Sequence, residues 1–196
     1  MLKQNVIHVP EYCPTMNQAM DLAVIFSERN DCTTENLEIV VGEGEHEMVG
    51  VASNKYSGLL MHVICNNITI VGKGKGKTTM IGGFYVHGKQ IVKIEQLAVT
   101  NHDGLGLFCE GNGTNVDVTE CCFKKCKYNG MYVRNGTTVS STRCDFMENG
   151  QRGVLWFGGN TKVRLNDSTI LNNTEAQWSE KELRSKAKFD KLSKGR

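Results

Sequence analysis

The repeat in this chain brings few acidic residues close enough together for acid and base catalysis. Glu120 and Arg143 occupy the same position in successive copies of a repeated segment, and Asp145 follows Arg143 by two residues. Two carboxylates on one surface can serve as a general acid and a general base, with an arginine as their charged neighbour. A surface salt-bridge network explains the same three residues equally well. We therefore predict no catalytic residues and retain Glu120, Arg143 and Asp145 only as weak candidates.

An aromatic column is the stronger candidate for a binding surface. Phe108 and Tyr132 are 24 residues apart, and Glu110 and Arg134 follow them by two positions each. Aromatic rings beside hydrogen-bonding charges suit sugar rings or a partner peptide, whose apolar and polar groups must be satisfied together. We predict these four as ligand-binding residues. The wider set that we expect on this face comprises Phe84, Phe108, Tyr132 and Leu155, flanked by Glu110, Arg134 and Phe157.

The same aromatic column has a purely structural explanation. Outward aromatic side chains stabilise sheets by stacking across strands, with Glu110 and Arg134 merely paired. The sequence leaves the two explanations open.

The glycine- and lysine-rich run over residues 71–79 looks like a phosphate-binding loop but lacks its pattern. That motif is glycine, four residues of any type and then Gly-Lys-Thr, followed by a helix. Here the first glycine is replaced by Val71, and the residues after Thr79 read as a strand. We predict a basic corner. A second basic corner, at Lys124, Lys125 and Lys127, has no interleaved aromatic residues, so we predict no nucleic-acid partner.

A repeat of 23 or 24 residues positions all of these side chains. The segments that begin at Val92, Val116, Val139 and Val163 align with one another, and their starts are 24, 23 and 24 residues apart. Each repeat has a second apolar half that begins with glycine, as at Gly106. A period of this length with short alternating apolar runs is typical of a β-solenoid, in which no single coil buries its own apolar face.

Alternation along each strand assigns side chains to an inward or an outward face. The four predicted inward columns are Ile68, Val92, Val116, Val139 and Val163; Ile70, Ile94, Val118, Ser141 and Leu165; Val99, Phe123, Phe146 and Ile170; and Leu107, Met131 and Val154. Stacked coils about 4.8 Å apart let each strand bond to the coils above and below it. We predict an all-β parallel β-helix of roughly five coils.

Both ends of the solenoid have predicted caps. Residues 14–30 read as a helix, with Thr15 and Gln18 at capping-box spacing, and residues 175–196 read as a basic second helix. We expect the second helix to cap the other end, with a basic docking arm for an acidic partner as the alternative. The predicted organisation is an N-terminal cap over 1–38, the β-helix over 39–174 and a helical tail over 175–196. Irregular spacing between Gly42 and Ser57 predicts a longer loop.

The composition favours a globular domain of low net charge that contains thiols. The formal charge is +2 and the pI is near 8, so no polyanionic partner is required. Eight cysteines without a CxxC pair read as reduced packing residues, with Cys121 and Cys144 in one inward position of successive coils. We predict no metal and no cofactor. The absence of a long apolar stretch and of a signal-peptide pattern leads us to expect a soluble, cytoplasmic protein with no membrane partner.

Three segments resemble a known superfamily. Pro14–Met20, Ile39–His46 and Asn67–Gly82 are similar to the opening of right-handed parallel β-helix proteins of the pectin-lyase-like superfamily, of the carbohydrate-binding and sugar-hydrolase type. This type of β-helix is also the substrate-reading module of some F-box proteins. The resemblance covers about residues 5–174 and implies a right-handed helix. It does not imply an activity, because the superfamily contains lyases, hydrolases, epimerases and non-catalytic members.

Taken together, these patterns predict a non-catalytic binding or scaffold module whose flat outer face recognises a carbohydrate or a protein. The first alternative is a polysaccharide-modifying lyase, hydrolase or epimerase of the same superfamily. The second alternative is a structural component of a larger assembly.

Overall fold

The chain forms a parallel β-solenoid with one helix at its N-terminal end. The computed structural model describes residues 5–29, 36–52 and 59–175, and within them it has nineteen strands and one helix. The first elements are β1 (Val6–Val9), α1 (Met16–Arg29), β2 (Leu37–Val41), β3 (Gly44–Glu47), β4 (Val51–Ala52), β5 (Leu59–Val63), β6 (Ile68–Val71), β7 (Thr78–Ile81), β8 (Gly83–His87) and β9 (Ile91–Glu95). The others are β10 (Ala98–Thr100), β11 (Leu107–Glu110), β12 (Asn115–Thr119), β13 (Cys122–Lys124), β14 (Met131–Arg134), β15 (Thr138–Thr142), β16 (Asp145–Met147), β17 (Val154–Trp156), β18 (Lys162–Asn166) and β19 (Thr169–Leu171).

Three sheets form the walls of the solenoid, and the chain visits each of them once per coil. Sheet A has the order β1-β2-β6-β9-β12-β15-β18, sheet B the order β3-β7-β10-β13-β16-β19 and sheet C the order β4-β5-β8-β11-β14-β17. All of these pairings are parallel except that between β4 and β5. The predicted all-β parallel solenoid is confirmed.

The predicted inward columns are also confirmed. Val92 pairs with Val116, which pairs with Val139, which pairs with Val163 in sheet A. Val99, Phe123, Phe146 and Ile170 follow one another in sheet B, and Leu107, Met131 and Val154 in sheet C. The side chains of these columns meet in one apolar core that runs along the solenoid axis. Like residues stack on like because each coil repeats the backbone of the last.

Helix α1 closes the N-terminal end of this core. Thr15 precedes the helix, and its Oγ1 accepts a hydrogen bond from the backbone N–H of Gln18 at 3.2 Å, as a capping box requires. Met16, Ala19 and Ala23 are fully buried and belong to the axial core, so this face packs on the first coil. The predicted helix is confirmed over Met16–Arg29.

The corner between sheets A and B uses the same backbone conformation in four consecutive coils. Gln96, Glu120, Arg143 and Asp167 have φ values of 54°, 55°, 53° and 49°. A single left-handed residue turns the chain sharply and directs its own side chain away from the core. The coil spacing therefore arranges these four polar side chains in one row along the outside of the corner.

A column of glycines forms the corner between sheets B and C. Gly83, Gly106 and Gly130 are all crowded, and a Cβ on Gly130 would lie 2.8 Å from the carbonyl oxygen of Gly153 and 2.9 Å from Nδ2 of Asn149. That amide is itself fixed, because Asn149 Nδ2 donates to the carbonyl of Phe123 at 3.2 Å. Glycine is needed here for space, since the coils approach one another too closely for a side chain.

Two sequence expectations differ from the structure. Phe84 was expected on the outer face, but it pairs with Leu107 and is fully buried in the axial core, and Tyr85 takes the outward position beside Phe108. The expected loop between Gly42 and Ser57 contains two strands, since β3 pairs with β7 and β4 with β5. The sequence did not predict β3, because its residues are polar and show no apolar alternation. Backbone pairing with β7 in the neighbouring coil makes it a strand. The predicted C-terminal helix lies outside the described residues.

Candidate functional site

The outer face of sheet C carries a stack of aromatic rings, which we call the aromatic ladder: Tyr85, Phe108 and Tyr132. The ring centroids of Tyr85 and Phe108 are 4.9 Å apart with planes 14° from parallel, and those of Phe108 and Tyr132 are 5.3 Å apart at 11°. The coil repeat produces this geometry, because the three residues occupy one register position in β8, β11 and β14. The predicted alignment of Phe108 with Tyr132 is confirmed.

A charged network lies beside the ladder, in the register position two residues later. Glu110 Oε2 accepts a hydrogen bond from Nε of Arg134 at 2.7 Å, and Oε1 accepts one from the hydroxyl of Tyr85. Asn135 Nδ2 also donates to Oε2, at 3.3 Å. The guanidinium carbon of Arg134 lies 5.0 Å from the ring centroid of Phe108, within the range of a cation–π contact. Glu110 therefore accepts hydrogen bonds from three side chains. Arg134 contacts both this charged network and the aromatic ladder.

Partial burial and these contacts shift the pKa values of Tyr85 and Glu110 in opposite directions. Burial, followed by the hydrogen bond to Glu110, raises the pKa of Tyr85 to about 12. Burial also acts to raise the pKa of Glu110, but the hydrogen bonds from Tyr85 and Arg134 outweigh it and hold that pKa below its ordinary value. At neutral pH the phenol is thus a donor and the carboxylate an acceptor.

Phe108 lies inside the site and not at its surface. It is only 1% exposed, because Leu60 and Leu105 pack against it together with the rings of Tyr85 and Tyr132. A ligand would meet Tyr132 and Arg134 before it met Phe108. The ring of Phe108 therefore has no open face, and its predicted role in ligand binding stays a prediction.

Two histidines and two exposed apolar residues complete this face. His87 stacks on Tyr85 with centroids 4.7 Å apart, and His62 meets the same ring edge-on at 4.8 Å. Burial, followed by the charge of His87, lowers the pKa of His62. Ile64 and Phe157 are 50% and 51% exposed and border the face in its outermost coils. The sequence reading missed Tyr85, His62 and His87, and the 23-residue spacing from Tyr85 to Phe108 was the signal that would have located Tyr85.

The weak catalytic candidates lie at the corner between sheets A and B, and each carboxylate has a cationic partner. Arg143 Nη2 is 2.9 Å from Oε1 of Glu120, and Lys75 Nζ is 2.5 Å from Oδ2 of Asp145. Gln96 adds one more donor, since its Nε2 donates to Oε2 of Glu120 at 3.3 Å. The hydrogen bond and charge of Arg143, followed by the bond from Gln96, lower the pKa of Glu120. This direction is opposite to the one that a general acid requires.

The cysteines in the described part of the chain are packed inside the solenoid, and the hydrogen bond from Cys121 lowers the pKa of Cys144 below its ordinary value. The seven that lie in the described ranges are free and buried, and Cys121 and Cys144 stack in adjacent coils as predicted. Burial raises the pKa of Cys126 to about 12, which keeps it protonated. Across residues 5–29, 36–52 and 59–175, no three His, Cys, Asp or Glu residues are grouped closely enough to hold a metal ion. Nor does that part of the chain contain a helix of the length and apolarity needed to cross a bilayer.

Comparisons with known proteins agree with this architecture. A family model described as the right handed beta helix region matches residues 17–174. A solved structure, ORF18 of Geobacillus virus E2, superposes with a TM-score of 0.58 at 14% sequence identity, covering 85% of this chain and 41% of that chain. Identity this low shows a shared fold alone, and this chain spans less than half of that protein. A search of curated proteins finds no match.

Proposed function

Because this chain belongs to the right-handed β-helix family, we propose that it is a non-catalytic binding module that recognises a protein partner through the outer face of sheet C. The observation that carries the proposal is the fixed Tyr85–Glu110–Arg134 network, which is bordered by the exposed side chains of Ile64 and Phe157. Tyrosine, phenylalanine and arginine are enriched at the centres of protein interfaces. A network that is ordered before binding also loses little conformational entropy on association.

The orientation of the rings favours a protein over a carbohydrate. A sugar stacks on an open ring face, but the faces within the aromatic ladder lie against one another at about 5 Å. Glu110 already accepts hydrogen bonds from three side chains, so it has little capacity left for sugar hydroxyls. A protein partner needs neither an open ring face nor free acceptors on Glu110, since it can pack apolar side chains against Phe157 and Ile64.

The corner residues do not favour the enzymatic alternative. Glycoside hydrolysis requires one carboxylic acid whose pKa is raised so that it can protonate the leaving group. Glu120 has the opposite shift, with its pKa lowered by Arg143 and Gln96. Asp145 lies in an ion pair with Lys75.

Affinity capture with matched variants tests the proposal. Wild-type protein, a double variant with Ile64→Ala and Phe157→Ala, and the control Ile25→Ala are immobilised in equal amounts and exposed to a cell extract. Ile25 is similarly exposed but lies on α1, away from sheet C. We expect a partner that is retained by wild type and by the control, and lost by the double variant, with unchanged circular dichroism. Equal retention by all three proteins would exclude this face.

A glycan array with the same three proteins provides the second measurement. Glycan binding by wild type that the double variant loses would assign the face to a carbohydrate and overturn the choice of a protein. Release of reducing or unsaturated ends from a bound polysaccharide would overturn the non-catalytic assignment.

A further inference from the structure

A concave site lies at the corner between sheets A and B, away from the outer face of sheet C. It is a cavity of about 400 Å³ at the surface. Its walls are formed by Lys73, Gly74, Lys75, Gln96, Glu120 and Arg143. This volume lies within the range of sites for small ligands.

The backbone brings these residues together from four coils. Gln96, Glu120 and Arg143 belong to the row of left-handed corner residues, whose side chains project outward one coil apart. The loop between β6 and β7 is the same corner one coil earlier, where the N–H of Gly74 donates to the carbonyl of Gln96 at 2.8 Å. Lys75 extends from this loop to Asp145, 70 residues later in the chain. The cavity therefore lies along one corner, between a lysine-rich loop and the corner residues of the next three coils.

The walls carry more positive than negative groups. Among the described residues Lys73 forms no ion pair. Lys75 and Arg143 do form ion pairs, but their side chains are 42% and 55% exposed, and exposed pairs of this kind stabilise a protein little. A multiply charged anion can exchange with such partners at small cost. Glu120 is the one carboxylate on the walls of this cavity.

We propose that this cavity binds an organic ligand that carries two or more phosphate groups. Lysine is a compact point charge that suits phosphate oxygens, and arginine adds directed donors. Lys73 and Lys75 contact one phosphate from the loop. Arg143 contacts the other from the corner, and the amide of Gln96 lies between them.

This site differs from a nucleotide-binding phosphate loop. The residues after the loop form strand β7, so no helix begins there. The hydroxyl of Thr78, which such a motif would direct at a magnesium ion, donates to the carbonyl of Gly42 at 2.8 Å and accepts from the N–H of Lys73 at 2.9 Å. Recognition here therefore depends on side chains and not on the backbone of a phosphate loop.

Calorimetric titration with inorganic pyrophosphate tests the proposal on the full-length protein. We expect one site whose affinity falls with added salt. Lys73→Ala weakens it by about tenfold, the loss expected for one charge-assisted contact. The matched control is Lys162→Ala, an exposed lysine at the start of β18. It leaves the affinity unchanged. Glu120→Gln strengthens binding, because it releases Arg143 and removes the repelling carboxylate.

Three results would overturn the proposal. The first is no binding of pyrophosphate, and the second is an equal loss of pyrophosphate affinity in Lys73→Ala and Lys162→Ala. The third is equally tight binding of citrate, which carries similar charge on carboxylates. Titrations with adenosine diphosphate and with a hexose bisphosphate then separate a nucleotide from a sugar phosphate as the source of the phosphates. The variants of Ile64 and Phe157 serve as a further control, and they leave pyrophosphate binding unchanged whether or not sheet C binds a protein.

Discussion

Arg134 donates a hydrogen bond from its Nε to Oε2 of Glu110 at 2.7 Å, and the two residues occupy the same register position in neighbouring coils. The pair is only partly exposed, with side-chain accessibilities of 36% and 20%. Because the carboxylate also holds the hydroxyl of Tyr85, one ion pair fixes the relative position of three strands. This arrangement links β8, β11 and β14 through side chains on the outer face of sheet C.

Glu110→Gln should lower the pKa of Tyr85. That pKa is raised to about 12 by burial and by the hydrogen bond and charge of Glu110, and the substitution removes the charge but not the burial. We expect a value between about 10, the ordinary value for tyrosine, and that of the wild type. Tyrosinate absorbance measures it, with Tyr85→Phe to assign the transition and Glu95→Gln as the control. An unchanged midpoint would show that Glu110 does not bond to Tyr85 in solution.

The stability difference between wild type and Glu110→Gln should depend on pH. The folded state lowers the pKa of Glu110, so the ionised carboxylate stabilises the fold above the ordinary value of about 4.3. This contribution is lost as the pH falls through the lower folded-state pKa. Urea unfolding of both proteins at about pH 7 and about pH 3 measures it. A difference that grew on acidification would contradict the assigned direction.

Phe108→Ala should destabilise the protein strongly. The side chain is 1% exposed, and truncation of a buried phenylalanine costs about 3 to 5 kcal/mol. Phe157→Ala, at an exposed ring of the same face, should change the free energy of unfolding by about 0.5 kcal/mol or less. Chemical denaturation distinguishes them, and equal effects would contradict the buried position of Phe108. Substitution of Phe108 is for the same reason unsuitable as a test of ligand contact.

Gly130→Ala should destabilise the solenoid by about 1 to 3 kcal/mol, the usual cost of overpacking. The added Cβ would lie 2.8 Å from the carbonyl oxygen of Gly153, which belongs to the backbone of the next coil. Gly159→Ala is the control, because a Cβ there would have no neighbour within 4 Å. Thermal unfolding compares the two variants. A neutral Gly130→Ala would mean that the coils separate more easily than their spacing indicates.

The repeat in the sequence was sufficient to predict the axial core. Val92 and Val116 were assigned to one column because the period of 24 residues places them in the same register, and the structure pairs them directly. The prediction from the repeat is wrong where the repeat is one residue shorter. Leu107 lies 23 residues after Phe84, and a slip of one position moves a side chain to the opposite face of a strand. Phe84 and Tyr85 were exchanged for this reason.

The contacts around both candidate sites were harder to predict, because they depend on loops and corners. Leu105 covers Phe108 from a turn, and Lys75 reaches Asp145 from a loop three coils away. Nothing in the spacing of these residues indicates that they meet. The predicted binding residues Phe108, Glu110, Tyr132 and Arg134 remain predictions, although the structure places them together.

The row of corner residues Gln96, Glu120, Arg143 and Asp167 has an evolutionary consequence. The backbone there is set by the coil, so an amide, two acids and a guanidinium all occupy the same conformation. Substitutions in this row alter the chemistry that the molecule presents without altering its shape. Selection can therefore change what this solenoid recognises while the residues that specify its form stay as they are.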